Sequence, residues 1–327
     1  MTEKFIAVVT TGGTIMCEKQ PDSDKVTPKM TGLELLDNIE GLTDRFNIKL
    51  VEHSNMPGSD LSPNTAFKLK ETIVSLIDDP SIMGIVVTQG TDAMDEIPYL
   101  IHLTCRVKKP IVFTGAMKGA NDLYSDAVGN VYGSILVASS REAIGKGVLV
   151  YFNETVFSAS DVEKFNANRI DAFDSFRGPM GRVLNDRVTF FREPVEEPVY
   201  DVWEATDLVP IIKIYSGMTD LFVRTCINKK VKAIVIEGYG SGNVPFDIEP
   251  AIREARSKGI IVAMSTRCFY GDAYGCYDYI GGGAQLSELG VIFGGGLSSQ
   301  KTRLKLLVML AAGRTVDEIS NAFSLDY

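Results

Sequence analysis

Histidine is nearly missing from this chain of 327 residues, which has only His53 and His102. That scarcity argues against devices in which an imidazole takes a proton from a serine or cysteine, because such a device needs the ring beside the nucleophile. His102 stands between Ile101 and Leu103 and reads as a packing residue. His53 follows a strand and reads the same way, although a cleft position stays open for it. Cysteine is sparse too, with thiols at positions 17, 105, 226, 268 and 276. The odd count and the lack of any Cys-x-x-Cys pair argue against a disulfide framework and against a zinc site, so no metal is expected. No apolar run approaches the roughly 20 residues that span a membrane. Met1-Thr2-Glu3-Lys4 leads into five apolar residues, too few for an export-signal core and with no small-residue cleavage site, so a cytoplasmic protein is expected. Lysine and arginine number 33 against 42 acidic residues, a net charge of −9. Such a surface repels nucleic acid and anionic lipid unless cations are gathered somewhere. The densest basic runs, Arg106-Val107-Lys108-Lys109 and Lys229-Lys230-Val231-Lys232, are short and precede strands, so they read as solvated helix ends. Nucleic acid and membrane are therefore not expected partners.

What the chain does have is apolar runs that end in hydroxyl–glycine turns. Phe5 to Val9 reads as a buried strand and is followed by Thr10-Thr11-Gly12-Gly13-Thr14-Ile15. Ile85-Val86-Val87 reads as another and runs into Thr88-Gln89-Gly90-Thr91-Asp92. Glycines permit a sharp turn and bring backbone N–H groups close to a ligand. Turns at the carboxyl ends of parallel strands are where open α/β sheets hold ligands. Each turn can also be read as a plain turn, with Asp92 capping the next helix. The first turn lacks the spacing of a dinucleotide or phosphate-binding loop, and no lysine follows it.

Strands alternate with helical patterns along the chain. Ile48 to Val51, Pro110 to Phe113 and Gly147 to Phe152 read as further strands. Helices are expected from Asn64, as cap, through Ile77, from about Met94 to Leu103 and from Ser125 to Ala138. Residues 16–31 are polar, carry two prolines and show no period, so they read as a loop and, beside Thr14, as a candidate lid. Residues 192–207 are acidic, carry two prolines and again show no period. Beyond them the alternation restarts. The fold expected is α/β, with a larger N-terminal doubly wound parallel-sheet domain (1–191), a linker (192–208) and a smaller C-terminal α/β domain (209–327).

Thr11-Gly12-Gly13-Thr14-Ile15 and Thr88-Gln89-Gly90-Thr91-Asp92 resemble the two signature motifs of the bacterial-type L-asparaginase/glutaminase family. The resemblance continues through Phe113-Thr114-Gly115-Ala116-Met117, Asp161-Val162-Glu163-Lys164 and Tyr239-Gly240-Ser241-Gly242-Asn243-Val244-Pro245-Phe246, and it looks most like the cytoplasmic type I branch. It implies a hydrolase of L-asparagine, or of glutamine or another small amide, working without cofactor as a homodimer or homotetramer. Related motifs also occur in the ammonia-generating subunit of a tRNA-dependent amidotransferase, which this acidic chain fits less well. A lysine can activate a threonine hydroxyl when it is held partly neutral. The resemblance supplies Lys164, which by itself reads as a surface lysine, to stand with Thr91 and Asp92. It makes Thr14 the nucleophile and leaves Thr91 as the other candidate. Asp92 would accept the substrate's α-ammonium, and the N–H groups of Ala116 and Thr91 would hold an oxyanion. Ser59 is expected at the α-carboxylate, since Gly58 falls where the family has serine. Asn243 matches a residue contributed by a neighbouring subunit, and is also a plain glycine-turn residue. Val26 falls where the family commonly has a lid tyrosine, and valine neither donates nor accepts.

Overall fold

The computed structural model describes residues 3–20 and 25–324, with Lys19, Val26 and Pro28 described by their backbone alone. The chain divides into two compact units, Met1–Val199 and Tyr200–Tyr327.

In the first unit an eight-stranded sheet carries the core. Five parallel strands are Phe5–Thr10, Ile48–Glu52, Ile82–Thr88, Ile111–Thr114 and Val148–Phe152. Taken in that chain order, they lie across the sheet as 2-1-3-4-5. The four that lie inside are almost continuously apolar because both faces are covered. Ile48–Glu52, at the edge, alternates between half-buried and exposed residues. Three antiparallel strands, Thr155–Ser158, Gly181–Leu184 and Arg187–Phe190, extend the other edge. Two of their turns are two-residue hairpins, Asn153-Glu154 and Asn185-Asp186, with φ near +46°, +63°, +50° and +60°. That is the backbone a tight right-twisted hairpin needs.

Helices Pro63–Asp78 and Ile97–Thr104 pack against each other. Helices Gly32–Asp37 and Ala127–Ser139 instead share a core with Val8, Val86, Val112 and Leu149. The alternate strand residues Ala7, Val87 and Phe113 are equally buried, so the sheet is covered on both faces. A topological consequence follows. The crossovers through 32–37, 63–78 and 97–104 have one hand, and the crossover through 127–139 has the other. Parallel crossovers are right-handed in about 98% of cases, which makes the last one left-handed. It carries residues 115–126 over the face where the turn after the first strand lies.

Helix Pro63–Asp78 is capped by Ser62, whose side chain accepts from the Thr65 N–H, and not by Asn64. Within the stretch 16–31, residues 21–24 lie outside the described residues, and the flanking parts form a ribbon. Cys17–Lys19 pairs antiparallel with Val26–Pro28.

The second unit holds a parallel sheet in chain order, Ile211–Lys213, Ala233–Gly238, Ile261–Thr266 and Ile292–Phe293. Helices Leu221–Asn228 and Glu249–Ser257 share its main apolar core, and helix Ser299–Ala311 packs on the same strands with Leu304, Leu307 and Val308 buried. Lys305, fully buried on that helix, donates to the Ala322 carbonyl at 3.2 Å, near the carboxyl end of helix Val316–Ser324, where carbonyl dipoles favour a cation. No helix among the described residues is long and apolar enough to cross a membrane.

Candidate active site

The order 2-1-3 reverses between Phe5–Thr10 and Ile82–Thr88, so a crevice opens at their carboxyl ends. Three glycines bring the neighbouring turns into backbone contact there. A Cβ on Gly13 would lie 2.3 Å from Gly90 Cα, and one on Gly90 would lie 2.6 Å from Gly58 Cα. No side chain fits at those distances, and Gly13 also has φ +91°, which L side chains rarely adopt. Thr14 follows the first of these glycines and Thr91 the second. Thr14 is half-buried and opens a short 3-10 turn, Thr14–Met16. Thr91 is buried and opens another, Thr91–Ala93.

Lys164 donates from Nζ to Thr91 Oγ1 at 3.0 Å and to Asp92 Oδ1 at 3.0 Å. The lysine side chain is 17% exposed and the aspartate 64%, so the pair sits at the mouth of the crevice with its carboxylate toward solvent. A hydroxyl bonded to an amine, which is itself paired with a carboxylate, is a unit that can position and deprotonate an oxygen nucleophile. Lys164 reaches this place from far along the chain. Its strand, Val162–Lys164, pairs with Phe173–Ser175, and the Phe173 opposite Lys164 packs its ring 4.4 Å from that of Phe152 in the main sheet. At the strand's start, Asp161 is buried and takes Arg192 Nη2 at 2.7 Å.

The loop after Ile111–Thr114 closes the third side. Gly115 packs on the Gln89 carbonyl and the Thr91 methyl. Asn130, on helix Ala127–Ser139, donates to the Gly115 carbonyl at 2.9 Å, and Asp126 accepts from the N–H groups of Met117 and Lys118. The Ala120 N–H donates to the Cys17 carbonyl at 3.0 Å, which ties this loop to the Thr14 turn. The left-handed crossover makes that link possible. The N–H groups of Thr91 and Ala116 have no acceptor among the described residues.

The remaining expected residues are placed less closely. Ser59 is exposed on the turn Gly58–Asp60, its Oγ 3.5 Å from Asp60 Oδ1, and the residue of that turn in contact with Gly90 is Gly58. Asn243 belongs to the second unit, where its Oδ1 accepts from the Gly283 N–H at 3.1 Å. The Val26 side chain lies outside the described residues. Neither histidine bonds a site threonine. His53 Nδ1 lies 3.0 Å from Thr72 Oγ1, and His102 Nδ1 accepts from the Val148 N–H. Burial pushes both imidazoles below their ordinary pKa. The sequence reading missed Asp126, Asn130 and the Asp161–Arg192 pair. Asp161 stands inside a motif quoted above, whereas Asp126, Asn130 and Arg192 lie outside every such motif, and no local pattern signalled them.

A doubly wound sheet with a hydroxyl–lysine–carboxylate unit at its switch point marks an α/β enzyme. More particularly, the chain belongs to the asparaginase family: residues 5–196 match the family's "Asparaginase, N-terminal" domain and residues 208–323 its "Glutaminase/Asparaginase C-terminal domain". It is 32% identical to an L-asparaginase of Bacillus licheniformis over 94% of this chain and 96% of that one. It is 28% identical to a glutaminase-asparaginase of Pseudomonas aeruginosa, over 80% and 75% of the two chains. The crystal structure of a probable cytoplasmic L-asparaginase from Campylobacter jejuni superposes with a TM-score of 0.89 at 26% identity, over 98% of this chain and 99% of that chain.

Proposed function

We propose that this protein hydrolyses the side-chain amide of L-asparagine, releasing L-aspartate and ammonia. The observation that carries the reading is Lys164 Nζ within 3.0 Å of both Thr91 Oγ1 and Asp92 Oδ1, in a chain of the asparaginase family. Thr14 attacks the amide carbon through its hydroxyl oxygen. Its proton passes to the leaving nitrogen, ammonia departs, and an acyl-enzyme remains. The N–H groups of Thr91 and Ala116 stabilise the oxyanion. Water, oriented by Thr91, then attacks the acyl carbon; its proton passes by way of Thr91 and a neutral Lys164 amine to the departing Thr14 oxygen, so that the ester bond breaks, aspartate leaves and the Thr14 hydroxyl is restored. Asp92 accepts the α-ammonium, and Ser59 with backbone N–H groups takes the α-carboxylate.

A second assignment has its own support. The hydroxyl bonded to the lysine is that of Thr91, which favours Thr91 as the attacking group. Glutamine is the alternative substrate, supported by the relatives named glutaminase-asparaginase. Residues 1–191 form the catalytic domain, joined through a linker at 192–208 to residues 209–327. A homodimer or homotetramer would bring Asn243 to a neighbouring subunit's site. A cytoplasmic location is supported by the similar structure from Campylobacter jejuni.

The test is ammonia release across L-asparagine, L-glutamine, their D-forms and other small amides, with Thr14→Ala and Thr91→Val beside the wild type. L-asparagine is expected to lead the panel and both variants to lose turnover. Trapping the acyl group after rapid mixing tells which threonine carries it. A folded wild type that releases ammonia from none of these amides would overturn the proposal.

A further inference from the structure

Asparagine sits poorly inside a helix, because its side chain competes with the backbone for hydrogen bonds. Asn130 nevertheless stands one turn into helix Ala127–Ser139, only 3% exposed. Its amide is spent beyond that helix's own backbone. Nδ2 donates to the Gly115 carbonyl at 2.9 Å and to Asp126 Oδ2 at 3.0 Å, and Oδ1 accepts from the Asn153 N–H at 3.0 Å. Two acceptors at one end and a donor at the other fix which end of the amide is nitrogen.

Asp126, four residues earlier and on the same face, behaves alike. It stands at the N-cap of the helix, where an aspartate ordinarily accepts from its own first turn, and its side chain makes no such bond. Its carboxylate accepts instead from the N–H groups of Met117 and Lys118, at 3.0 Å each. Both residues give up local helix stability to hold one loop, a pattern found where function constrains a chain.

What they hold is a single peptide unit. The Gly115 carbonyl and the Ala116 N–H are the two ends of one planar trans amide, so they point in opposite directions. A donor that pins the carbonyl therefore aims the N–H, here away from Asn130. Asp126 fixes the next unit through the Met117 N–H, so Ala116 is clamped on both sides. Gly115 itself lies against the site, since a Cβ there would come within 3.3 Å of the Thr91 methyl. A hydrogen bond to a carbonyl also polarises its amide and makes the N–H at the far end a stronger donor.

We propose that Asn130 is a positioning residue for amide hydrolysis: by holding the Gly115 carbonyl it aims and polarises the Ala116 N–H toward the oxyanion. The effect on turnover rests on the proposed function, whereas the effect on the peptide does not.

Asn130→Leu keeps the volume and removes the amide, and Asn130→Ser serves if the leucine variant does not fold. Ser134→Ala, one turn on, removes the bond from Ser134 Oγ to the Asn130 carbonyl and leaves the Asn130 side chain in place. It is the control for helix packing alone. Ammonia release from L-asparagine gives kcat and KM, and calorimetry gives the dissociation constant of L-aspartate. The Asn130 variants are expected to lose about 10- to 100-fold in kcat, since a misaimed donor costs less than the roughly 10²- to 10³-fold of a deleted one. KM and L-aspartate affinity are expected to stay within about threefold, because the bond counts in the transition state. Ser134→Ala is expected to keep kcat. Protein labelled with carbonyl-13C glycine and 15N alanine carries both labels only at the peptide bonds 115–116, 119–120 and 283–284, which Ala120→Ser and Ala284→Ser tell apart by NMR. The Gly115 carbonyl carbon is expected to move upfield in the Asn130 variants, as a lost hydrogen bond requires, and to stay in Ser134→Ala.

The proposal is overturned if the folded Asn130 variants stay within about threefold of wild-type kcat, or if KM or the L-aspartate dissociation constant rises as far as kcat falls. It is equally overturned if Ser134→Ala loses kcat as they do, or if the Gly115 carbonyl resonance does not move. A wild type that releases no ammonia overturns the proposed function instead, and the resonance still reports whether Asn130 sets the Gly115–Ala116 unit.

Discussion

Replacing Lys164 by methionine keeps the apolar stem and removes the amine from Thr91 and Asp92. Two effects of very different size are expected. Removing a proton-transfer partner from a nucleophile unit lowers turnover about 10²- to 10⁴-fold, which is about 2.7–5.5 kcal/mol of barrier. The same change breaks an ion pair whose carboxylate is 64% exposed and whose lysine side chain is 17% exposed. Pairs so open to water contribute only about 0–1 kcal/mol to stability. For a domain of 150–250 residues that is a shift of about 2–4 °C in Tm at most. Steady-state ammonia release and a thermal melt on the same preparation separate the two. Lys164→Arg sharpens the test, because guanidinium restores the charge beside Asp92 but does not give up its proton at any working pH. It should return the Tm and leave turnover low. A loss of less than about tenfold for Lys164→Met, or an Arg variant as active as wild type, would refute the role given to this lysine.

Three other outcomes follow from the same geometry. Gly13→Ala places a methyl 2.3 Å from Gly90 Cα at φ +91°; the backbone strain alone costs about 1–3 kcal/mol, so the urea midpoint should fall and ammonia release should drop with it, while Gly145→Ala, with φ +81° but open space around its Cβ, should lower only the midpoint. Arg192→Leu takes the guanidinium from the buried Asp161 carboxylate beside the Lys164 strand and should cost about 3–5 kcal/mol in denaturant unfolding, most of it recovered by adding Asp161→Asn. Burial lowers the pKa of His102, with Glu197 and Asp161 opposing it weakly. The unfolded chain therefore takes up a proton just below the ordinary histidine value, where the folded protein does not, so stability falls as pH drops through that window and levels off above it. The slope contributed is at most about 1.4 kcal/mol per pH unit, and His102→Gln should flatten it in urea titrations between pH 5 and 7.

The strands of the parallel sheet were legible because both of their faces are covered. Phe5–Thr10, Ile82–Thr88 and Val148–Phe152 therefore show as unbroken apolar runs. The antiparallel edge was not legible, since Gly181–Leu184 and Arg187–Phe190 are only four residues each and Leu184 is exposed where a polar residue would mark the alternation. Asn185-Asp186 was the available turn signal there. The ribbon of Cys17–Lys19 and Val26–Pro28 was missed for a similar reason: each strand is three residues long, too short to show a period.

By itself the sequence determined the α/β alternation and the two hydroxyl–glycine turns, because burial periodicity and turn chemistry are local properties of adjacent residues. Only the tertiary structure decided that Gly13, Gly58 and Gly90 touch, that one crossover is left-handed, and that Lys164 comes to Thr91 and Asp92 from more than seventy residues away. Those are contacts between distant segments. They are set by which faces of the sheet are covered and by how closely two backbones can approach, and neither quantity is carried by any single stretch of the chain.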